Sequence, residues 1–445
     1  MLRNIVFGCI SVILVFIVFN RFNWKDNMVF LWDQSGYYRY LPAVVIYDDL
    51  GRFEFSNEIN HKYETAKGHD YHALYEQAQT GRRLNKYSVG VCLFEAPAFF
   101  LAHGLTLLTQ EYPPDGFSTY YRLFVALNNV FWVLLGLWIV TSMLFRYYSE
   151  RVAVLTILMI AFGTNLYHYT VWDAGMSHPY SFFLMAALLD CTDRWYRKPT
   201  KKWVVLIGLI YGLLIITRPT NAVAILIPLF WTISKSTLNE RITIWKKNAG
   251  AIFIASIICF AVLMIQCSYW KYATGSWVYY SYEGEGFDFF HPKIFDGLLS
   301  FRKGWFLYTP MALLAVFGLI PYYRRQPRQA LLIFIYTCLS IYIAFSWTQW
   351  YYGGSFGCRA LIENYALLSL PLAALVRWAF QAKRIVRSGV FLVLSLCLSL
   401  NLWQTYQYNI CVIPFDGNTA EYYKRVFFKE NKSAEDDRMY HQLVP

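Results

Sequence analysis

Apolar stretches recur along the whole chain, and most approach the length a helix needs to cross a bilayer, about 20 residues. They lie near 3–21, 119–145, 152–170, 176–192, 203–217, 219–234, 249–268, 305–322, 329–347, 362–380 and 388–404. The pattern predicts an all-α polytopic membrane protein. The first run, LRNIVFGCISVILVFIVFN, resembles a signal peptide but carries no small-residue cleavage site. Arg21 and Trp24 follow it directly, so it reads as an uncleaved membrane helix.

The polar intervals set the expected orientation. Basic loops at 194–202, 235–247, 324–328 and 383–387 belong on the cytoplasmic side. Alternation places 146–151 and Arg3 there too, and 22–87 outside. An odd number of crossings must then separate residue 87 from residue 146, and 119–145 supplies one. The remaining apolar stretch, 88–109, contains Glu95, Pro97, His103 and Gly104. A carboxylate at the centre of a lipid-facing helix costs about 2.5–3.5 kcal/mol on insertion scales. The stretch therefore reads as an interfacial helix; the alternative is an ordinary crossing with Glu95 paired inside the bundle. The expected layout is about eleven crossings within 1–404, an external first loop 22–118, and a short external tail 405–445.

Composition agrees with this picture. Of 445 residues, 57% are hydrophobic and only 15% are charged, while aromatics reach 20% and crowd the ends of the apolar runs. That is the distribution of an interfacial aromatic belt. The net charge of +12 would suggest nucleic acid on a soluble chain. Here the excess lies in short loops and acts as a topology determinant, so no nucleic-acid partner is expected. Nine cysteines are scattered without a CxxC or Cys/His spacing, so no zinc site is read; Cys358 and Cys411 are a candidate external disulfide.

Candidate chemistry collects on the external side. Asp33, in FLWDQSGYYRYLPA, lies just beyond the first helix beside Trp32 and Tyr37. A lowered dielectric there suits a carboxylate to accept a proton; equally, Asp is a favoured helix cap. Lys86 follows Arg82 and Arg83 at the end of the same loop, either meeting a lipid phosphate or snorkelling. His168, Asp173 and His178 flank one external turn, as a base or metal pair or as capping residues. Arg218, before Pro219, forks onto a phosphate or anchors a helix end. Arg302 and Lys303 precede Gly304 at a helix start, a plausible anion site. The loop SWTQWYYGGSFGCRALIENY adds Trp350, Tyr351, Arg359 and Glu363. Aromatics, a Gly pair and a cation suit a sugar or a lipid pyrophosphate head group.

Absent patterns narrow the choice. The chain has no GxxxxGK[ST], GxSxG or HExxH, and no DxD after the first helix. Asp48–Asp49 reads as a turn. No repeat relates the two halves, which speaks against an inverted-repeat transporter.

The order of WDQSGYYRYLPA, NKYSVG, GTNLYHYT, SHPYSFF, RPTN, SFRKGWFLYTP and WYYGGSFGCR resembles the GT-C glycosyltransferases. These include protein O-mannosyltransferases and lipid A aminoarabinose transferases, which use polyprenyl-phosphate sugars. The resemblance implies a GT-C-like bundle whose first external loop carries interfacial helices, with Asp33 as base or acceptor-positioning carboxylate. It implies donor-phosphate contacts from Lys86, Arg218, Arg302 and Arg359. Lys303, beside Arg302, is read with them as a phosphate contact, and Tyr37, Asp173, His178, Trp350, Tyr351 and Glu363 are read as substrate-lining residues. Many members carry an acidic pair in the first loop. The lone Asp33 here makes metal dependence an open point, and no cofactor is expected. The implied activity is inverting hexosyl or pentosyl transfer in a bacterial-type inner membrane, on its periplasmic face. Donor, membrane lipids and a lipid, glycan or protein acceptor are the expected partners. The alternatives are a lipid-linked glycan flippase and an O-antigen-type polymerase or ligase.

Overall fold

A computed structural model describes residues 2–20, 29–65, 73–232 and 238–444. Arg21, Trp24 and Lys235 lie outside the described residues. The chain is mostly helical, and the sheet among the described residues is one antiparallel hairpin, Leu74–Gln77 paired with Arg82–Asn85. Seven helices among them are long and apolar enough to cross a membrane: Leu2–Asn20, Gly90–Thr109, Thr119–Leu144, Ala249–Thr274, Pro327–Ser346, Arg359–Gln381 and Arg384–Asn409. This is an all-α chain with the character of a membrane protein.

Several apolar runs are interrupted, for backbone reasons. Arg218 (φ −150°, ψ 116°) ends the helix Lys201–Thr217 before the 3-10 turn Pro219–Ile225. Thr309 (φ −139°, ψ 67°) likewise separates Trp305–Tyr308 from Pro310–Phe317. Proline disfavours the α conformation at the residue before it, in keeping with both breaks, although Pro97 and Pro371 sit inside continuous helices. The run 152–170 splits at the extended Thr164, into Glu150–Gly163 and Leu166–Val171. Part of the basic interval 235–247 is itself helical, Leu238–Lys247.

The chain divides into two compact units. One comprises Phe7–Gly136 and Tyr169–Gly284. Its tightest helix pair is Lys201–Thr217 with Ala249–Thr274. A Cβ on Gly208 would lie 2.2 Å from the Ala255 carbonyl oxygen, and one on Gly212 would lie 3.1 Å from that of Cys259. Small residues four apart let two apolar helices approach backbone to backbone. The helix Gly90–Thr109 runs antiparallel to Thr119–Leu144. Asn128 Nδ2 donates to the Phe94 carbonyl at 3.0 Å, and His103 Nδ1 meets the Tyr121 hydroxyl at 2.6 Å. At its start, Gly90 abuts the backbone of Ile216 and Thr217.

The other unit comprises Met1–Val6, Leu137–His168 and Glu285–Pro445. The Arg3 amide donates to Glu150 at 3.0 Å, and its guanidinium lies over the Trp138 ring at 4.4 Å. The start of the first helix and the basic turn 146–151 thus share one end, as the charge pattern predicts. The tail folds into Ala420–Val426 and Ala434–Leu443. Gln407, in the last turns of Arg384–Asn409, donates 2.9 Å bonds to the carbonyls of Val426, Phe427 and Lys429. The second tail helix is capped by Ser433, and its buried Asp436 accepts from Arg425 and Lys429. These bonds hold Asp436 below the usual carboxylate range although burial opposes them.

Candidate active site

The candidate residues fall in both units. Asp33, Tyr37, Lys86, Asp173, His178 and Arg218 belong to the first. Arg302, Lys303, Trp350, Tyr351, Arg359 and Glu363 belong to the second.

In the first unit, Asp33 lies in the first turn of the short helix Trp32–Tyr38, where a negative charge suits the helix dipole. Leu31, not Asp33, occupies the capping position. The Asp33 carboxylate is half-buried and accepts a 2.6 Å hydrogen bond from the Tyr87 hydroxyl. The Tyr37 ring packs 4.8 Å from that of Tyr87. Tyr87 itself is fixed by its neighbours. Its carbonyl accepts from the Tyr40 hydroxyl at 2.5 Å, and its amide donates to Asn85 Oδ1 at 3.1 Å. Asn85 Nδ2 in turn holds the Gly36 carbonyl at 2.8 Å. The end of the hairpin and the Asp33 helix are therefore tied together from both sides.

Lys86 is buried rather than snorkelling. Its amide donates to the Ala73 carbonyl at 2.9 Å, its carbonyl accepts from Ser281 at 2.8 Å, and its ammonium lies 4.8 Å from the Tyr282 ring centre. Asp173 and His178 each find a partner on another segment. Gln34, next to Asp33, donates its side-chain amide to Asp173. The Arg218 guanidinium meets the His178 ring.

Glu95 is fully buried behind this turn. One carboxylate oxygen meets the Tyr180 hydroxyl at 3.3 Å, and the other has no hydrogen-bond partner among the described residues. A Cβ on Gly175 (φ +90°) would touch both Glu95 Oε1 and Gln34 Cβ at 3.5 Å. Those are ordinary contact distances, so it is the left-handed backbone that glycine serves at this position.

In the second unit, Arg302 makes a two-point bond to Asp416, Nε–Oδ1 at 2.9 Å and Nη2–Oδ2 at 2.8 Å. Its guanidinium carbon sits 3.4 Å from the Tyr351 ring centre and 5.9 Å from that of Trp350. Lys303 is buried and donates to the carbonyls of Ser355 and Phe415. Burial pulls its ammonium down to about 7; Asp416 opposes the shift, while Arg359 and Arg302 add to it. Burial works against the Asp416 carboxylate, yet Arg302 and Lys303 keep it below the usual range. Arg359 and the buried Glu363 share the 3-10 turn Arg359–Asn364. Asn165 holds the strand of chain before it, donating to the Phe356 and Cys358 carbonyls at 3.2 Å. Cys358 and Cys411 are both free thiols.

Tyr87, Gln34 and Asp416 were not singled out from the sequence. No local signal marks them: each acts through a partner distant in the chain. Among the described residues, no group of three His, Cys, Asp or Glu side chains is placed to hold a metal ion. No protein-family model matches the chain, and no curated protein matches it.

Proposed function

We propose that the protein is a membrane glycosyltransferase of the GT-C type, which moves a sugar from a polyprenyl-phosphate donor to a hydroxyl acceptor on the external face. The observation that carries this reading is Asp33. It is a half-buried carboxylate, oriented by the Tyr87 hydroxyl at 2.6 Å, next in sequence to the Gln34 that reaches Asp173. A carboxylate so held suits a general base. In the proposed step the acceptor oxygen attacks the anomeric carbon, its proton passes to Asp33, and the bond from that carbon to the phosphate oxygen breaks with inversion. Lys86 and Arg218 in the same unit are the cations best suited to the departing phosphate. The setting proposed is a bacterial-type inner membrane with its active face outside.

The test is transfer of labelled sugar from a polyprenyl-phosphate donor by the full chain in reconstituted vesicles. Asp33→Asn should lose about two to four orders of magnitude in rate, the usual scale for a general base, at unchanged protein level. Transfer at the wild-type rate in that variant removes the base role.

A lipid-linked glycan flippase is kept as a second reading because of one observation. Glu95 is an ionisable side chain buried within an apolar helix long enough to cross, and such residues mark transport pathways.

A further inference from the structure

Beside the last turn of Pro327–Ser346 lies a segment, residues 286–299, with a surface that the sugar-transfer reading does not use. Two backbone bonds fix it there: the Asp288 amide donates to the Ser346 carbonyl and the Lys293 amide to the Phe345 carbonyl, both at 2.7 Å. Phe287 adds a bridge to Trp347. Gly297 rests directly on the Phe345 ring, where a Cβ would come within 2.2 Å. The segment is therefore a docked structure, not a loose connection.

Its outward face carries large apolar side chains among the exposed Asp288, His291, Lys293 and Asp296. Asp288 Oδ1 accepts from the amides of Phe290 and His291 at 3.1 Å, a side-chain-closed turn that holds Phe290 at its tip. Phe290 is 92% exposed and Phe295 is 78% exposed. Phe289 and Leu299 are exposed beside them, with Phe295 and Leu299 four residues apart on the short helix Ile294–Leu299. Water is a poor solvent for such a face, and nothing in the fold of this unit requires these rings to point outward.

The apolar stripe of the neighbouring helix leads to the same place. Leu331, Phe334, Ile335 and Cys338 are exposed at helical spacing along Pro327–Ser346. That row ends at Tyr342, whose ring stacks on Phe289 at 5.8 Å and whose hydroxyl donates to the Phe289 carbonyl at 2.7 Å. A stripe that faces acyl chains thus continues without a break into the Phe289–Phe290 tip. Asp288, His291, Lys293 and Asp296 interleave with the rings, the polar complement of a lipid head-group layer.

We propose that residues 287–299 form a lipid-docking surface, with Phe290, Phe295 and Leu299 inserted among the lipids at the membrane interface. The inference rests on the membrane character of the helices and not on sugar transfer. It is tested with the full chain in phosphatidylethanolamine/phosphatidylglycerol vesicles, carrying p-benzoylphenylalanine in place of Phe290, Phe295, Ile335 or Asp437. Ile335 reports the helix stripe, and Asp437 an exposed position on the last tail helix. Covalent lipid adducts, read by mass spectrometry after illumination, are expected at 290 and 295 at least about fivefold above position 437. Yields at 290 and 295 below that margin overturn the proposal, as do cross-links to protein, which would assign the surface to a second copy or a protein partner. Lipid adducts missing at 335 as well would overturn it together with the membrane placement of the helix.

Discussion

Arg302 and Asp416 meet through two nearly parallel hydrogen bonds, 2.9 and 2.8 Å long, across 114 residues of sequence. The pair joins the segment before Trp305–Tyr308 to the tail, and the Tyr440 hydroxyl reinforces it from the last helix by donating to the Asp416 carbonyl at 3.0 Å. A carboxylate in this geometry presents to the guanidinium the same two-oxygen edge that a phosphate would.

Breaking that pair has two separable effects. With both side chains partly exposed, its coupling energy should be about 1 kcal/mol, measured by a double-mutant cycle of Arg302→Gln and Asp416→Asn on thermal unfolding in detergent. If Asp416 stands where an anion binds, Asp416→Asn should also tighten binding of inorganic phosphate, and Arg302→Gln should abolish that gain. Unchanged phosphate affinity in Asp416→Asn would make the pair a tie for the tail alone.

Lys303 predicts a pH dependence. Its ammonium titrates near 7 in the folded chain, against about 10.4 when unperturbed. Between those values the unfolded chain binds more protons, so stability rises with pH across the window. Below pH 7 both states are protonated, and the buried charge carries its full penalty. The melting temperature of the wild type relative to Lys303→Met should therefore climb from pH 7 to pH 9. A difference that stays flat over that range contradicts the shift.

Much of the fold was legible because apolar length and proline placement are local properties. The boundary at Pro219 is legible from residue identity, whereas the break before Pro310 falls inside the apolar run 305–322. The basic pattern places Arg3 and the 146–151 turn at one end, where the Arg3 amide meets Glu150. The site was legible only in part. Asp33 stood out as a lone acid beside aromatics, but Tyr87 reads from sequence as one more interfacial tyrosine. Asp173 and His178 read as a base or metal pair or as capping residues around one turn; their partners Gln34 and Arg218 come from distant segments that local pattern does not mark. Arg302 and Lys303 looked like anion ligands because two cations precede a helix. Their partners, Asp416 and the Phe415 carbonyl in the tail and the Ser355 carbonyl in an earlier loop, are distant in sequence, and local pattern carries no information about them.

Tyr87 should orient Asp33 rather than supply its chemistry. Tyr87→Phe keeps the ring against Tyr37 and removes one hydrogen bond to a carboxylate, worth about 1.5–3 kcal/mol. Sugar transfer should fall about tenfold to a hundredfold, well short of the loss in Asp33→Asn. In the double variant the Tyr87 effect should vanish, since nothing is left for it to orient. Additive losses would instead give Tyr87 its own contact with substrate.

Gly208 should be intolerant of any side chain. A Cβ there would collide with the Ala255 carbonyl at 2.2 Å, and the facing backbone cannot yield without parting two helices. Gly208→Val is expected to cost about 3 kcal/mol or more, on the scale of severe core overpacking. Gly104→Ala, with open space around its Cβ position, is the control and should leave the melting temperature nearly unchanged.

Glu95 separates the two functional readings. It is fully buried, with only the Tyr180 hydroxyl as a hydrogen-bond partner, at 3.3 Å, among the described residues. Glu95→Gln preserves shape and the bond to Tyr180, so folding stability should move by no more than about 1 kcal/mol. Glu95→Lys introduces a longer side chain and a cation into a site fitted to a carboxyl group, and should abolish folding. A sugar transferase that uses Asp33 as its base does not need Glu95 to carry a charge, so Glu95→Gln should retain transfer. A flippase driven by protonation of this acid predicts the reverse: a folded Glu95→Gln protein that no longer moves a lipid-linked glycan across vesicles. Measuring stability, transfer and translocation on the same variant distinguishes the two, because a folding defect would lower all three together.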